Sequence, residues 1–271
     1  MIYFLLSCGL TIIFGVMGVV NFAHGAFYML AFYITFTIAN AIGFWGALII
    51  VPLIMVMIGA TAEKGLFQRV YKTGHVFQLL LSVGIIYIIS DIVRVIWGLE
   101  PKNGDIPTLF MGRVELLGIA ISKYNLFIIG ISSLIALILI LYLYKSKIGS
   151  IVRACVFDAE MTRGVGINVT NVFTFVFMMG IGLAAIAAVV AYPITSGSLG
   201  MDSQMIIIAF CVTVIGGVGS IGGALIASLA IAVLESLGIL VLPQYADTFI
   251  YIIVVAVLFL RPQGLFNLEK S

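Results

Sequence analysis

The stretch Phe173-Thr-Phe-Val-Phe-Met-Met-Gly-Ile-Gly-Leu-Ala-Ala-Ile-Ala-Ala-Val-Val-Ala-Tyr-Pro-Ile194 contains no charged side chain. At 1.5 Å per residue, a helix of this length crosses the ~30 Å hydrocarbon core of a bilayer. Further apolar runs occupy residues 1–20, 22–40, 44–62, 76–97, 124–144, 204–216, 222–241 and 248–260. The sequence therefore predicts an all-α, polytopic membrane protein with about 8–9 transmembrane helices, forming a single transmembrane domain over residues 1–271.

The composition excludes a water-soluble fold. Hydrophobic residues make up 63% of the chain and charged residues 9%, whereas soluble domains carry roughly 25% charged residues. A net charge of +2 gives no basic surface for nucleic acid. The three cysteines match neither a metal-binding nor a disulfide spacing. Residues 1–20 run into the next apolar run without an Ala-x-Ala cleavage site, so we expect a retained span and not a signal peptide.

The distribution of cations predicts the orientation, because cytoplasmic loops of membrane proteins are enriched in Lys and Arg. Nine cations fall in segments predicted to be cytoplasmic: Lys64, Arg69, Lys72, Lys145, Lys147, Arg153, Arg163, Arg261 and Lys270. The alternate segments hold fewer cations, mixed with carboxylates: Lys102, Arg113, Lys123, Glu100, Asp105, Glu115, Asp202 and Asp247. Counting spans back from residue 63 places residues 21–25 on the cytoplasmic side and Met1 outside.

Two glycine-rich breaks interrupt the apolar pattern. The first is Gly15-Val-Met-Gly-Val-Val-Asn-Phe-Ala-His-Gly25, and the second is Gly216-Gly-Val-Gly-Ser-Ile-Gly-Gly223. Backbone that is left unpaired within a membrane must be surrounded by protein or water. We predict broken or re-entrant segments near 21–25 and 216–223. Each is either a tight helix connection or a discontinuous helix that lines a pathway, with Asn21, His24 and Gly25 as candidate pathway residues.

Ionisable residues inside spans are costly, so they usually form pairs or face a cavity. Asp91 and Arg94 are three residues apart and are expected to pair on one helix face. Glu235, beside Ser236, has no partner within its own predicted helix. Its carboxyl group is expected either to hydrogen-bond a neighbouring helix or to line the pathway together with Ser236.

The cytoplasmic loop 145–172 contains a short amphiphilic segment. Asp158 is expected to cap a short helix that Gly164 or Gly166 would end. Such a helix can lie on the membrane or dock into a partner, and the pattern leaves both open.

No enzyme motif, metal-binding cluster or nucleotide-binding loop is present in the sequence. Gly217, Gly219 and Gly222 match a dinucleotide-binding spacing, but they lie between apolar helices and not in a βαβ unit. We therefore expect no catalytic activity and no cofactor, and any energy source must come from elsewhere.

Four motifs resemble the permeases of branched-chain amino-acid ABC importers, specifically the LivH type. They are Gly9-Leu-Thr-Ile-Ile-Phe-Gly-Val-Met-Gly-Val-Val-Asn-Phe-Ala-His-Gly25, Arg153-Ala-Cys with Asp158 and Gly166-Ile-Asn168, Val214-Ile-Gly-Gly-Val-Gly-Ser-Ile-Gly-Gly223, and Arg261-Pro-Gln-Gly264. The resemblance covers essentially the whole chain. Members of the family carry an additional N-terminal stretch, so the first span is expected to begin late.

The resemblance implies a subunit that forms half of a translocation pathway in a bacterial or archaeal inner membrane. The implied partners are a second, LivM-like permease, two cytoplasmic ATP-binding subunits and an extracytoplasmic substrate-binding protein. The loop would act as the coupling helix, with Arg153, Asp158, Ala159, Glu160, Met161, Gly164 and Gly166 as coupling residues. The alternatives are a related importer of urea or short amides, an ion-coupled secondary transporter and a purely structural membrane subunit.

Overall fold

The computed structural model describes residues 1–71, 73–116, 118–241 and 259. Its helices are α1 (Ile2–Met17), α2 (His24–Ala62), a π-helical turn (Glu63–Phe67), α3 (Gln68–Val70), α4 (His75–Trp97), α5 (Lys123–Lys145), α6 (Lys147–Phe157), α7 (Ala159–Gly164), α8 (Val169–Ala191), α9 (Met201–Gly216) and α10 (Ile221–Val241). A 3₁₀ turn (Thr108–Phe110) and two strands, β1 (Arg113–Leu116) and β2 (Ile119–Ser122), lie between α4 and α5.

The predicted apolar runs correspond to helices throughout the described residues. Five helical stretches are long and apolar enough to cross a membrane: His24–Val70, Val76–Trp97, Lys123–Lys145, Val169–Ala191 and Ile221–Leu240. The apolar helices α1 and α9 are shorter, with 16 residues each. This architecture confirms a polytopic helical membrane protein. Apart from Phe259, the predicted run 248–260 lies outside the described residues, as do Lys72, Asp247, Arg261, Lys270 and the motif 261–264.

The stretch His24–Val70 is a helical hairpin and not one straight helix. A straight helix of its 47 residues would measure about 70 Å. Instead, Phe27 near its start and Phe67 near its end both contact Phe177 of α8, with ring centroids 6.2 and 5.0 Å apart. The chain reverses at Gly43, which has the non-helical angles φ 83° and ψ 169°. The two predicted spans 22–40 and 44–62 are therefore antiparallel neighbours.

Small residues allow α8 to pack closely in the centre of the protein. A Cβ atom on Gly180 would lie 2.9 Å from the carbonyl oxygen of Gly9 in α1, and Gly182 faces Val56 in the second half of α2. Alanines 184, 185, 187 and 188 are completely buried. Membrane helices associate through such close backbone approach, because lipid offers no hydrophobic driving force between them.

The structure separates two ends of the protein. The cation-bearing regions after α2 and α5 meet at one end, where Glu63 contacts Thr174 near the start of α8. At the other end, the Trp97 indole donates to Thr37, and Lys102 and Gly197 form a backbone bridge. The two sets of segments that the charge pattern distinguishes therefore lie at opposite ends, and the cytoplasmic assignment of the cation-bearing end stays a prediction.

Two local features belong to the predicted outer end. The antiparallel hairpin β1–β2 adds a small strand element to the predicted all-α fold. Near the end of α4, the expected Asp91–Arg94 ion pair is present at 3.1 Å.

We predict opposite effects for alanine at two glycines. The backbone angles at Gly43 are essentially restricted to glycine, so Gly43→Ala should destabilise the hairpin by about 1–3 kcal/mol. Gly130 is exposed within α5 and has no atoms near its potential Cβ, so Gly130→Ala should stabilise by up to about 1 kcal/mol. Thermal unfolding in detergent measures both changes. Equal midpoints for the two variants would contradict a fold-back at Gly43.

Candidate translocation site and coupling segment

The first helix break lies deep within the protein. α1 ends at Met17, and α2 begins at His24. The His24 Nε2 atom donates to the Leu6 carbonyl at 3.1 Å. Leu6 lies 11 residues before the end of α1 at Met17, which corresponds to about 16 Å of helix. After α1, the chain therefore runs back along this helix before α2 begins. The sequence placed residues 21–25 on the cytoplasmic side of the first span, and the structure corrects this for His24, which lies deep beside the first half of α1. Gly18, with φ 62°, turns the chain back into the protein immediately after α1.

A buried seam of polar side chains runs along α1. Tyr3, Ser7 and Thr11 are spaced four residues apart and thus share one helix face. The Tyr3 hydroxyl donates to Glu235 of α10 at 3.1 Å. The hydroxyls of Thr11 and Thr213 of α9 are 2.9 Å apart. We call these five residues the polar seam.

Several buried polar atoms near the seam have no hydrogen-bond partner among the described residues. They are the Ser7 hydroxyl, both amide atoms of Asn21, the Nδ1 atom of His24 and the Tyr28 hydroxyl. Because a carbonyl only accepts, the His24 Nε2 atom carries the proton, and in the neutral ring Nδ1 is a free acceptor. Buried polar atoms without partners are rare and commonly mark a site for water, an ion or a ligand.

Aromatic rings border this region on the side of α9. Phe22, within the break, stacks on Phe210 with a centroid distance of 5.5 Å, and Phe14 of α1 lies 6.3 Å from the same ring. Donors and acceptors thus lie beside an apolar surface, an arrangement that suits a ligand with polar and aliphatic parts.

The structure distinguishes the roles of the remaining candidate pathway residues. Glu235 is half-buried and hydrogen-bonded to a neighbouring helix, as one of the two interpretations expected. Ser236 is exposed, and its hydroxyl donates to Ala232 within its own helix. Gly25 is a packing position, because a Cβ atom there would collide with the Asp202 carbonyl of α9.

The two glycine-rich breaks meet in space. A Cβ atom on Gly15 would lie 2.5 Å from the Cα atom of Gly219. A cavity of about 450 Å³ lies beside this contact, and its lining includes Ile12, Val16, Ser220, Val152 and Arg153. The cavity places the second break next to α6.

The segment after α5 folds into two short helices, α6 and α7. The Asp158 carboxylate accepts from the Met161 backbone N–H at 2.8 Å, which confirms the predicted cap. The second helix ends at Gly164, and Gly166 follows with φ 88°. The Cys155 side chain is buried between the two helices; burial raises the pKa of its thiol, and a hydrogen bond with Thr162 opposes this rise.

Arg153 anchors α6 to the end of α5. Its guanidinium donates to the Leu143 carbonyl and to the Ser150 hydroxyl, and it lies over the Tyr144 ring at 5.3 Å. Carbonyls at a helix C-terminus attract cations. Arg153 is therefore placed to orient the segment, while the other expected coupling residues lie further along it: Asp158, Ala159, Glu160, Met161, Gly164 and Gly166.

Four large apolar side chains are exposed on this segment: Ile148 lies at the start of α6, and Phe157, Met161 and Val165 lie around α7. Phe157 is 73% exposed, Met161 68% and Val165 70%. Of these, sequence analysis identified only Met161. Exposed apolar groups outside the spans mark a surface for contact with another molecule.

Sequence analysis also missed Tyr3, Ser7, Thr11, Thr213 and Tyr28. The four-residue spacing on α1 was visible in the sequence, but single hydroxyls in an apolar run are compatible with ordinary span composition. The described residues contain no group of three or more potential metal ligands.

Spanning helices, a seam of buried and half-buried polar side chains and a helix break inside the protein are the features of a multi-pass membrane permease. The chain belongs to the family of branched-chain amino acid transport system permease components, and the model of this family matches residues 1–258. It is a multi-pass protein of the inner membrane.

Curated relatives extend over nearly the whole chain. BraD of Pseudomonas aeruginosa, a high-affinity branched-chain amino acid transport system permease protein, is 30% identical over 97% of this chain and 91% of its own length. LivH of Salmonella typhimurium is 29% identical over 97% of this chain and 90% of its own. A probable LivH of Methanocaldococcus jannaschii is 27% identical over 98% and 88%. No solved structure matches the chain.

We predict an asymmetry between the two threonines of the seam. In Thr213→Val, the buried Thr11 hydroxyl loses its partner, which should cost about 1–3 kcal/mol. Thr11→Val should cost less, because the Thr213 hydroxyl also donates to the Ala209 carbonyl at 2.8 Å. The double variant should be close to wild type, since no donor remains unpaired. Thermal unfolding of the four proteins tests this order, and additive losses would contradict the pairing.

Proposed function

We propose that this chain is the permease subunit of an ABC importer and forms half of the translocation pathway for branched-chain, aliphatic amino acids. A second, LivM-like permease completes the pathway. Two cytoplasmic ATP-binding subunits supply the energy, and an extracytoplasmic binding protein delivers the substrate. The observation that carries the proposal is the exposed apolar surface of residues 157–165 in a chain of this permease family.

The cytoplasmic segment supports coupling to a separate energy source. The sequence contains no nucleotide-binding loop, so transport driven by ATP requires one on another subunit. Helix-in-groove docking uses apolar anchors on a short helix, and Phe157, Met161 and Val165 supply such anchors. The Asp158 cap fixes the conformation of the segment, and Arg153 links it to the end of α5. A displacement of the segment is therefore transmitted directly to α5.

The unpartnered polar atoms support a pathway next to the first break. An amino acid carries an ammonium group that donates and a carboxylate that accepts. The Nδ1 atom of His24 offers an acceptor, and the Asn21 amide offers both functions. These atoms are buried in the described state, so we propose that they meet substrate or water when ATP binding shifts the subunits to another conformation.

The first prediction from this proposal concerns coupling. Replacing residues 157–166 with a Gly-Ser linker should abolish ATP-dependent leucine uptake into proteoliposomes that contain the whole complex. Met161→Ser should lower uptake and weaken retention of the ATP-binding subunits, because it removes an apolar anchor. Leu109→Ser is the matched control, since Leu109 is also 68% exposed but lies in the predicted outer loop.

The outcomes separate the alternatives. Uptake of urea or a short amide without leucine would leave the architecture in place and overturn the substrate. Transport by this chain alone, driven by an ion gradient without ATP, would overturn the ABC importer itself. Wild-type uptake after the linker replacement would contradict the role of the segment.

The second prediction concerns the pathway. Asn21→Leu has a similar volume and removes two unpartnered buried polar groups, so it should raise the unfolding midpoint. If Asn21 meets substrate during transport, the same variant should lower leucine uptake. Ser132→Ala is the control, because the Ser132 hydroxyl on α5 is also buried without a partner. It should raise stability and leave uptake unchanged; an equal loss of uptake in both variants would exclude a specific role for Asn21.

A further inference from the structure

A buried carboxylate lies at the cytoplasmic end of α2, outside the polar seam. Glu63 is 0% exposed and begins the π-helical turn Glu63–Phe67. Its two oxygens accept three hydrogen bonds: from the Tyr71 hydroxyl at 2.8 Å, from the Gln68 amide at 2.9 Å and from the Thr174 hydroxyl at 2.6 Å. All three donors are neutral groups. Within the described part of the chain, the one ion pair joins Asp91 and Arg94, so no cation is paired with Glu63 there.

The π-helical turn makes this arrangement possible. Five residues at about 100° each would place Gln68 about 140° away from Glu63 around an α-helix. A π-helix instead repeats its backbone bonds between residues five apart, which brings the two side chains together. Single π-helical turns within α-helices are frequent at functional sites. Burial and the hydrogen bond to Glu63 raise the pKa of Tyr71, so its hydroxyl remains a donor.

The hydrogen bond from the Thr174 hydroxyl to Glu63 connects two different helices. It joins the end of α2 to the second turn of α8, and two aromatic contacts flank it. Tyr71 meets Phe173 edge-on at 5.7 Å, and Phe67 lies 5.0 Å from Phe177. Gln68 and Tyr71 belong to the same segment as Glu63, and the Gln68 amide also donates across to the Thr174 hydroxyl at 3.2 Å.

The start of α8 is also the end of the proposed coupling segment. Asn168 caps α8 by accepting from the Asn171 backbone N–H. Thr174 follows six residues later, about 9 Å along the helix. The Thr174 hydroxyl has a second acceptor within reach, the Thr170 carbonyl at 3.1 Å in its own helix. It can therefore keep a hydrogen bond within α8 when the bond to Glu63 is released.

We infer that Glu63 is a positioning residue that locks the start of α8 through Thr174, so that movement of the cytoplasmic segment is transmitted to the α2–α8 core. The inference rests on the proposed function, because it requires residues 157–165 to receive a push from ATP-binding subunits. Glu63 itself touches no substrate. Loss of the Glu63 carboxyl group should lower the amount of substrate transported per ATP hydrolysed without preventing assembly of the complex.

The test uses the complete complex in proteoliposomes and measures leucine taken up per ATP hydrolysed. Thr174→Val keeps the side-chain shape and removes both bonds that cross from Thr174 to Glu63 and Gln68, and Glu63→Gln replaces one carboxyl oxygen that accepts them by an amide nitrogen. Each should lower the ratio roughly 2- to 30-fold. The double variant should be no worse than Thr174→Val alone, because both changes break the same contact.

Two variants distinguish transmission from general stability. Tyr71→Phe should lower the unfolding midpoint and leave the ratio unchanged, because the bond between Glu63 and Thr174 remains. Thr174→Ser keeps the hydroxyl and should retain the wild-type ratio. Thr61→Val is the matched control, since the Thr61 hydroxyl is exposed and bonds only its own helix at Ile58.

Unchanged ratios in both Thr174→Val and Glu63→Gln would overturn the inference, and if Thr174→Val fails to assemble, Glu63→Gln alone decides. A drop with Tyr71→Phe equal to that with Thr174→Val would also overturn it, since stability would then explain the effect. Linker replacement of residues 157–166 identifies failure of the proposed function: if uptake persists there, the coupling role itself is wrong. Loss of uptake with the linker, together with unchanged ratios in the Glu63 and Thr174 variants, rejects only the inference.

Discussion

The hydrocarbon core offers no water to unpaired backbone groups, and the rest of the structure depends on this constraint. Helix breaks can exist at membrane depth only where protein surrounds them. The break after α1 satisfies this condition, because Asn21 and His24 are completely buried. The contact between Gly15 and Gly219 joins the second break to the end of α1. The protein surrounding the first break therefore accommodates irregular backbone and polar side chains together.

Close packing around α8 makes this interior possible. Small side chains on α8 admit α1 and both halves of α2, and the backbones approach where Gly9 meets Gly180. The aromatic side chains are large and rigid, and Phe177 contacts both Phe27 and Phe67. The hairpin thus has little freedom to slide along α8. A rigid centre of this kind transmits displacement, since packed interiors deform little.

Much of the fold follows from the sequence, whereas most of the site does not. Apolar runs predicted the helices, because the bilayer requires uninterrupted hydrophobic length. The Asp158 cap was also predictable, since a cap depends on residues three apart. The bond between Tyr3 and Glu235 joins residues 232 apart, and the bond between Glu63 and Thr174 joins residues 111 apart. Local patterns carry no information about such pairs. The depth of His24 was misjudged for the same reason, because the return of residues 18–23 along α1 is set by tertiary packing.

The distribution of polar bonds suggests how a permease can be both firm and mobile. Glu63 accepts three hydrogen bonds at the junction between the end of α2 and the start of α8. Near the first break, by contrast, Asn21 and the Nδ1 atom of His24 have no partners within the described residues. Burying them without partners raises the free energy of this conformation relative to one in which water or a ligand reaches them. If the segment of residues 157–165 is driven as we propose, the bonds at Glu63 together with the unsatisfied atoms in the interior would bias the molecule toward opening when that segment moves.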